Sequence, residues 1–153
     1  MKIIYSIAVA GLLAFSCNNN KEVVSEEKPE AAASEHVKLV NAYFEHFNKH
    51  EWEKMAAMYT ETAEFKDPSL GKTAVTQTRA QTAKKYAELA QIFKDIKDSV
   101  VAVYPSGNDH VIVEFVSTGT APDATKLNLP ICTIFTFENG LISKDYTYYD
   151  EVQ

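Results

Sequence analysis

The period of the apolar residues changes once along this chain, from 3.6 before about residue 97 to 2 after it, and that change sets the class of fold. Asp98–Tyr104, His110–Thr118, Leu127–Phe137 and Leu141–Tyr149 each read as a strand rich in Val, Ile, Thr, Phe and Tyr. Pro105-Ser106-Gly107-Asn108-Asp109 and Glu138-Asn139-Gly140 are turns between them, the Asn-Gly pair favouring a tight hairpin. Upstream, Ser34 has the chemistry of an N-cap. Val37, Val40, Phe44 and Phe47 then fall on one helical stripe, widened by Leu39 and Tyr43. A break at Asn48-Lys49-His50 precedes a shorter helix from Glu51-Trp52 through Met55, Met58 and Tyr59. Thr62–Lys66 reads as a short strand ended by Asp67-Pro68, and the longest helical pattern runs from Lys72 or Thr73 to Phe93. The order α-α-β-α-β-β-β-β predicts an α+β domain whose antiparallel sheet buries one face against helices.

The beginning of the chain follows a different rule. Met1-Lys2 is a short basic start, and Ile3 to Phe15 is an apolar run interrupted by Tyr5, Ser6 and Gly11. As a helix that run rises only about 20 Å, too short for a bilayer, which is the signature of a signal-peptide core. Leu13-Ala14-Phe15-Ser16-Cys17 resembles the lipobox of bacterial lipoproteins, in which the cysteine takes a diacylglycerol and becomes the new N-terminus. Residues 1–16 are therefore expected to be a signal peptide, with Cys17 the lipidation site and the membrane reached through that anchor. Residues 17–34 hold no aromatic side chain and are rich in Asn, Glu and Ala, the composition of a flexible tether. The folded domain is expected at residues 35–151. Its expected location is the bacterial cell envelope.

Composition excludes several chemistries. Five glycines cannot assemble a phosphate loop or a dinucleotide fingerprint. Acidic residues outnumber basic ones 21 to 15, a net charge of −6, which argues against nucleic acid as a partner. Two cysteines, one expected to carry lipid, do not form a disulfide framework. His46 and His50 stand at i, i+4 with no third ligand at a suitable spacing, so neither a metal nor another cofactor is expected.

Three segments carry a family likeness. Val40-Asn41-Ala42-Tyr43-Phe44-Glu45-His46-Phe47-Asn48, Trp52-Glu53-Lys54-Met55 with Tyr59, and Ala63-Glu64-Phe65-Lys66-Asp67-Pro68 resemble the opening of the NTF2-like superfamily. The SnoaL-like branch and the ketosteroid isomerases are its most similar branches. Glu138-Asn139-Gly140-Leu141-Ile142 and Tyr146-Thr147-Tyr148-Tyr149-Asp150 resemble the superfamily's last hairpin. The resemblance implies a cone: a curved antiparallel sheet wrapped on three helices around an internal pocket. It implies no single activity, because the superfamily holds isomerases, cyclases, epoxide hydrolases and non-catalytic members.

Asp67, in Asp67-Pro68-Ser69-Leu70-Gly71, looks like the isomerase segment that carries the general-base aspartate, which needs a partly desolvated carboxylate. The same residues also read as a turn whose carboxylate binds backbone N–H groups. Tyr43 matches the tyrosine that donates to a developing oxyanion, and it equally suits a helix core. Cys132, in Leu129-Pro130-Ile131-Cys132, stands where the isomerases keep a protonated aspartic acid. A thiol donates too weakly to replace that acid. Lys144, Asp145 and Asp150 lie on or after the last strand, where cyclases and epoxide hydrolases place acid/base carboxylates. Strand parity sets Lys144, Tyr146 and Tyr148 on one face and Asp145, Thr147 and Tyr149 on the other. The resulting pocket set is Tyr43, Tyr59, Asp67, Tyr86, Glu114, Cys132 and Tyr148. Two functions follow as expectations. One is a domain that binds a small, largely apolar molecule or assembles as a homodimer. The other is a cofactor-free isomerase, cyclase or hydrolase using Asp67, with Tyr43 and Asp150.

Overall fold

A computed structural model describes residues 29–150; the expected signal peptide and Cys17 lie outside the described residues. The elements run α1 (Pro29–Asn48), α2 (Trp52–Ala56), β1 (Tyr59–Lys66), a 3-10 turn (Pro68–Leu70), β2 (Val75–Thr78), α3 (Arg79–Ile92), β3 (Lys97–Ser106), β4 (His110–Thr120), β5 (Lys126–Glu138) and β6 (Leu141–Tyr148). Three helices cover one face of a six-stranded sheet of order β2-β1-β6-β5-β4-β3. This is the α+β cone that the sequence predicts.

Four details differ from the sequence expectation. Helix α1 begins at Pro29, not at Ser34, because three alanines extend the helix and proline's fixed φ suits a first turn. Tyr59 starts β1 instead of ending α2. The segment expected to open α3 is instead β2, since Val75, Thr76 and Thr78 are β-branched. A reciprocal capping box between Thr78 and Gln81 then starts the helix at Arg79. Finally, the sheet is mixed: β1 pairs parallel with β6, while β2·β1, β6·β5, β5·β4 and β4·β3 are antiparallel.

Local chemistry fixes the hairpins and the curvature. Asn139 and Gly140 have φ of 51° and 76°, the two positive values a type I′ turn requires. Pro130 is tolerated within β5 because β6 pairs with that strand only from Cys132 onward. Register shifts between Val100 and Ala102 in β3, and opposite Thr136/Phe137 in β6, are β-bulges. Bulges bend a strand and re-aim its side chains. The core on the concave face includes Val40, Phe44 and Phe47 from α1, Met55, Tyr59 and Phe65, and Val111, Val113, Phe135 and Ile142 from the sheet, all nearly or fully buried.

Candidate functional site

Between α1, α3 and the concave face lies a cavity of about 430 Å³ whose walls are mostly aromatic and aliphatic. Register shows how the sheet furnishes it. Val111, Phe135 and Asp145 are paired across β4, β5 and β6, and Asp145 continues to Phe65 on β1. The next inward row pairs Val113, Thr133 and Thr147, whose threonine hydroxyls are 2.7 Å apart. Near the far end, Asp98 on β3 pairs with Ser117 on β4, and Ser117 with Leu129 on β5. Leu129 and Phe135 are six residues apart, so the Asp98 and Asp145 rows are separated by about 20 Å along the strand. Both carboxyl charges nevertheless contribute to raising the Tyr43 pKa, Asp145 more than Asp98.

Asp145 is the buried acid of the first row, 3% exposed. Its Oδ2 accepts from the Tyr59 hydroxyl at 2.6 Å, and its Oδ1 from Thr147 Oγ1 at 3.0 Å. Burial pushes its carboxyl above the ordinary carboxylate range, while those donors and the Lys85 charge pull it partly back. The Tyr59 hydroxyl is also 3.3 Å from that of Tyr43. Burial, with the Asp145 charge, drives the ionisation of Tyr43 and Tyr59 far upward; burial and Tyr43 do the same for Tyr86. All three phenols therefore stay protonated, and Tyr59 donates to the Asp145 carboxyl.

Asp67 is placed by the 3-10 turn that proline opens. Its Oδ1 accepts from Ser69 N–H at 2.8 Å, Ser69 Oγ at 2.7 Å and the Tyr149 hydroxyl at 2.9 Å. Lys85 of α3 closes on its Oδ2 as an ion pair. Burial alone would raise the Asp67 carboxyl, but Lys85 and the Ser69 donors together hold it below its usual value. Burial and the Asp67 charge push Tyr149 up to about 12. Asp67 is thus an ionised member of the cavity wall, its carboxylate held by Ser69, Tyr149 and Lys85.

Asp98 is held differently. Its backbone N–H donates to Asn48 Oδ1 and its carbonyl accepts from Asn48 Nδ2, each at 2.8 Å, so the end of α1 locks the start of β3. The side chain is 7% exposed and its Oδ1 has no hydrogen-bond partner. Burial raises its pKa to about 7, against a smaller opposing effect of the Ser117 hydroxyl.

Of the expected pocket set, Tyr43, Asp67 and Tyr86 do line the cavity, and Tyr59 sits buried behind Tyr43. Glu114, Cys132 and Tyr148 do not. Their strand parity is opposite to that of Phe115, Thr133 and Thr147, which places them on the convex face together with the exposed Asp150. There they border an open groove of about 680 Å³ with Val101 and Val116. Among the described residues no group of three or more His, Cys, Asp and Glu is arranged to hold a metal, and His50 bonds the Ile96 carbonyl while stacking on Trp52. No described helix is long and apolar enough to cross a membrane. The sequence pattern does not single out Asp98 or Lys85 as cavity residues. Asp145 is recognised as a candidate carboxylate but not as a pocket residue. The signal for its direction is its shared parity with Thr147 and Tyr149.

The profile of the SnoaL-like domain family matches residues 40–144. No functionally characterised protein of the curated set matches the sequence. Among solved structures, an epoxide hydrolase/cyclase-like enzyme, SalBIII, acting in pyran ring formation in salinomycin, aligns over 77% of this chain and 92% of its own, with TM-score 0.67 and 19% identity. An NTF2-like protein from Anabaena variabilis aligns over 84% and 96%, with TM-score 0.68 and 15% identity. A Catenulispora acidiphila protein of ketosteroid isomerase-like fold, in complex with trimethylamine, aligns over 74% and 85%, with TM-score 0.65 and 20% identity. These likenesses establish the fold.

Proposed function

The chain belongs to the SnoaL-like domain family, and from that premise we propose that its cavity binds a small, largely apolar molecule and exchanges a proton with it through Asp145, without a cofactor. The observation that carries this reading is the Asp145 carboxyl, buried on the cavity wall, raised in pKa and backed by the Tyr59 and Tyr43 hydroxyls. A carboxyl so placed titrates nearer neutrality than a solvated one and can both take and return a proton.

The chemistry suits a ligand with an acidic C–H beside a carbonyl. The Asp145 carboxylate takes the proton from carbon, and the C–H electron pair moves into the C–C bond as the carbonyl oxygen gains charge. The Tyr43 hydroxyl, protonated throughout, donates to that oxygen. Protonated Asp145 then returns its proton to another carbon of the enolate, which gives isomerisation; attack of the enolate on a second carbonyl of the same molecule forms a C–C bond and an alkoxide, which takes the Asp145 proton, and gives cyclisation. That SalBIII, an epoxide hydrolase/cyclase-like enzyme, has the same fold supports cofactor-free acid/base chemistry in such a cavity, although pyran closure itself forms a C–O bond. Asp67, lowered in pKa by its pairing with Lys85, is the weaker base of the two carboxylates.

The test is proton exchange in D2O with an aromatic 1,3-diketone as probe, followed by NMR. The wild-type protein accelerates loss of the α-proton signal; Asp145→Asn does not, although it still binds the probe. Equal exchange by wild type and Asp145→Asn overturns the reading.

Two further assignments belong to the same proposal. Cys17 anchors the protein in a bacterial envelope membrane, supported by Leu13-Ala14-Phe15-Ser16 before it. Labelling with an alkyne fatty acid tests this, and Cys17→Ala abolishes it. The convex face pairs two copies of the chain, supported by the exposed Val101, Tyr104 and Tyr148.

A further inference from the structure

Asp98 has no task in the reaction above, yet it is the one buried acid of the described cavity wall left with an unpartnered oxygen. Its surroundings are specific. Asn48, which clamps its backbone, lies one helical turn beyond Phe44, and the Phe44 ring meets that of Phe115 at 4.9 Å. Phe115 shares the inward face of β4 with Ser117, the strand partner of Asp98. From the opposite side, α3 ends in Phe93, whose Cβ comes within 3.0 Å of where a side chain on Gly119 would begin. Gly119 thus leaves room for a third ring at this end of the cavity.

An anion on a cavity wall shared with Phe44, Phe93 and Phe115 is badly placed, because burial strips its water and π surfaces repel negative charge. No cation among the described residues is set against it: burial and the Ser117 hydroxyl account for its behaviour, whereas Lys85 serves Asp67 and Asp145. A ligand can supply what the protein withholds. A protonated amine donates an N–H to the orphan Oδ1, neutralises the carboxylate and rests its charge against the rings. A ligand carbonyl would instead need Asp98 protonated, and its partial negative charge gains nothing from Phe44, Phe93 and Phe115.

We propose that the Asp98 end of the cavity recognises a protonated amine on the bound molecule. This rests on the reading of the cavity as a ligand site and adds the chemical class of what enters it: an apolar body bearing an ammonium group, with the amine held at Asp98 and the body extending toward Tyr43. Asn48 fixes the carboxyl's position through its two backbone hydrogen bonds.

The test compares two matched probes, 2-phenylethylamine and 2-phenylethanol, titrated into the full-length protein by calorimetry. At about pH 8, where Asp98 is charged, the amine binds at least about tenfold tighter than the alcohol. That preference shrinks to near unity at about pH 5.5, and Asp98→Asn removes it while alcohol affinity is retained. A carbon-detected NMR titration of Asp98 in the wild type reads the same linkage without relying on a variant, and saturating amine lowers its pKa. Equal affinity for the two probes at pH 8, or a rise in the Asp98 pKa with amine, overturns this inference and leaves the cavity reading intact. Failure of both probes to bind overturns the cavity reading and this inference with it.

Discussion

The Tyr59 hydroxyl and the Asp145 carboxylate are 2.6 Å apart across the parallel pairing of β1 with β6. The bond joins the beginning of the sheet's first strand to its last strand, 86 residues later. Both groups are almost wholly buried. A buried carboxylate that loses a donor has nothing to replace it, so the bond matters most when Asp145 is charged.

Tyr59→Phe is therefore expected to destabilise the domain by about 1–3 kcal/mol near neutral pH. Burial already sets the folded pKa of Asp145 above its unfolded value, so Asp145 costs stability as pH rises through that folded pKa. Without the Tyr59 donor the folded pKa climbs further, and the variant's deficit grows with pH while shrinking toward pH 4. Urea unfolding at pH 4 and pH 8 reads the difference; a deficit independent of pH would mean that Tyr59 contributes only packing.

Asp98 gives the opposite kind of variant, one that gains stability. Its folded pKa of about 7 exceeds the ordinary 3.8, so the native state binds more protons than the unfolded chain between those values. Its contribution is fully present below pH 3.8 and is lost as pH rises through 7. That shift corresponds to a loss of at most about 4 kcal/mol. Asp98→Asn keeps the shape, removes the charge and is expected to raise stability above pH 7 by about 1–4 kcal/mol, with no gain near pH 4. Thermal unfolding across pH 4–9 checks this, and parallel curves for the two proteins would refute it.

The contrast between Asp98 and Tyr43 shows how far the sequence could be read. Tyr43 lies on a helix whose stripe is plain in Val40, Phe44 and Phe47, so its inward direction follows from spacing alone. Asp98 begins a strand, where an acid by default faces water, and the Asn48 clamp that fixes it comes from fifty residues away. Bulges add a second obstacle. Ile142 and Asp145 both face inward although they are an odd three positions apart, because the irregularity opposite Thr136/Phe137 resets the alternation. Parity read from Lys144 onward groups the residues correctly, but only the helices show which group faces the cavity. The same limit places Glu114, Cys132 and Tyr148 on the convex face. β2 is hidden for another reason: its four residues are too few for a period to show against the adjoining helix.

Lys85 and Asp67 form a pair whose side chains are 21% and 11% exposed, so losing one partner strands the other. Lys85→Met is expected to cost about 1–3 kcal/mol at pH 7, less than a fully buried pair because some water reaches it. In the wild type the Asp67 carboxyl sits below its ordinary pKa, so its stabilisation is present above that ordinary value and disappears as pH falls through the folded one. The penalty of Lys85→Met should vanish at acid pH. Adding Asp67→Asn to Lys85→Met should recover part of the loss, and a double-mutant cycle with zero coupling would show that the pair does not act as one. Asp67→Asn alone should lower stability yet leave probe exchange intact, whereas exchange lost at full stability would return the catalytic role to Asp67.

Cys132 supplies a reporter for the convex face. It stands on the side of β5 opposite Thr133, away from the cavity, beside Glu114 and Tyr148. Burial, with the nearby Glu114 charge, raises its thiol pKa, so alkylation should be slow at neutral pH and quicken above the ordinary thiol range. Filling the cavity leaves that rate unchanged, because the ligand and the thiol lie on opposite faces of one strand. Pairing of two chains through the convex face lowers it, and the protection grows with protein concentration. Val101, on the bulge of β3 and 67% exposed, lies in the same surface, so Val101→Glu should abolish the protection without unfolding the domain. Mass-spectrometric alkylation rates across a hundredfold dilution read all three effects. A rate that is constant with concentration excludes pairing through this face, and a rate slowed by a cavity probe would contradict the placement of Cys132.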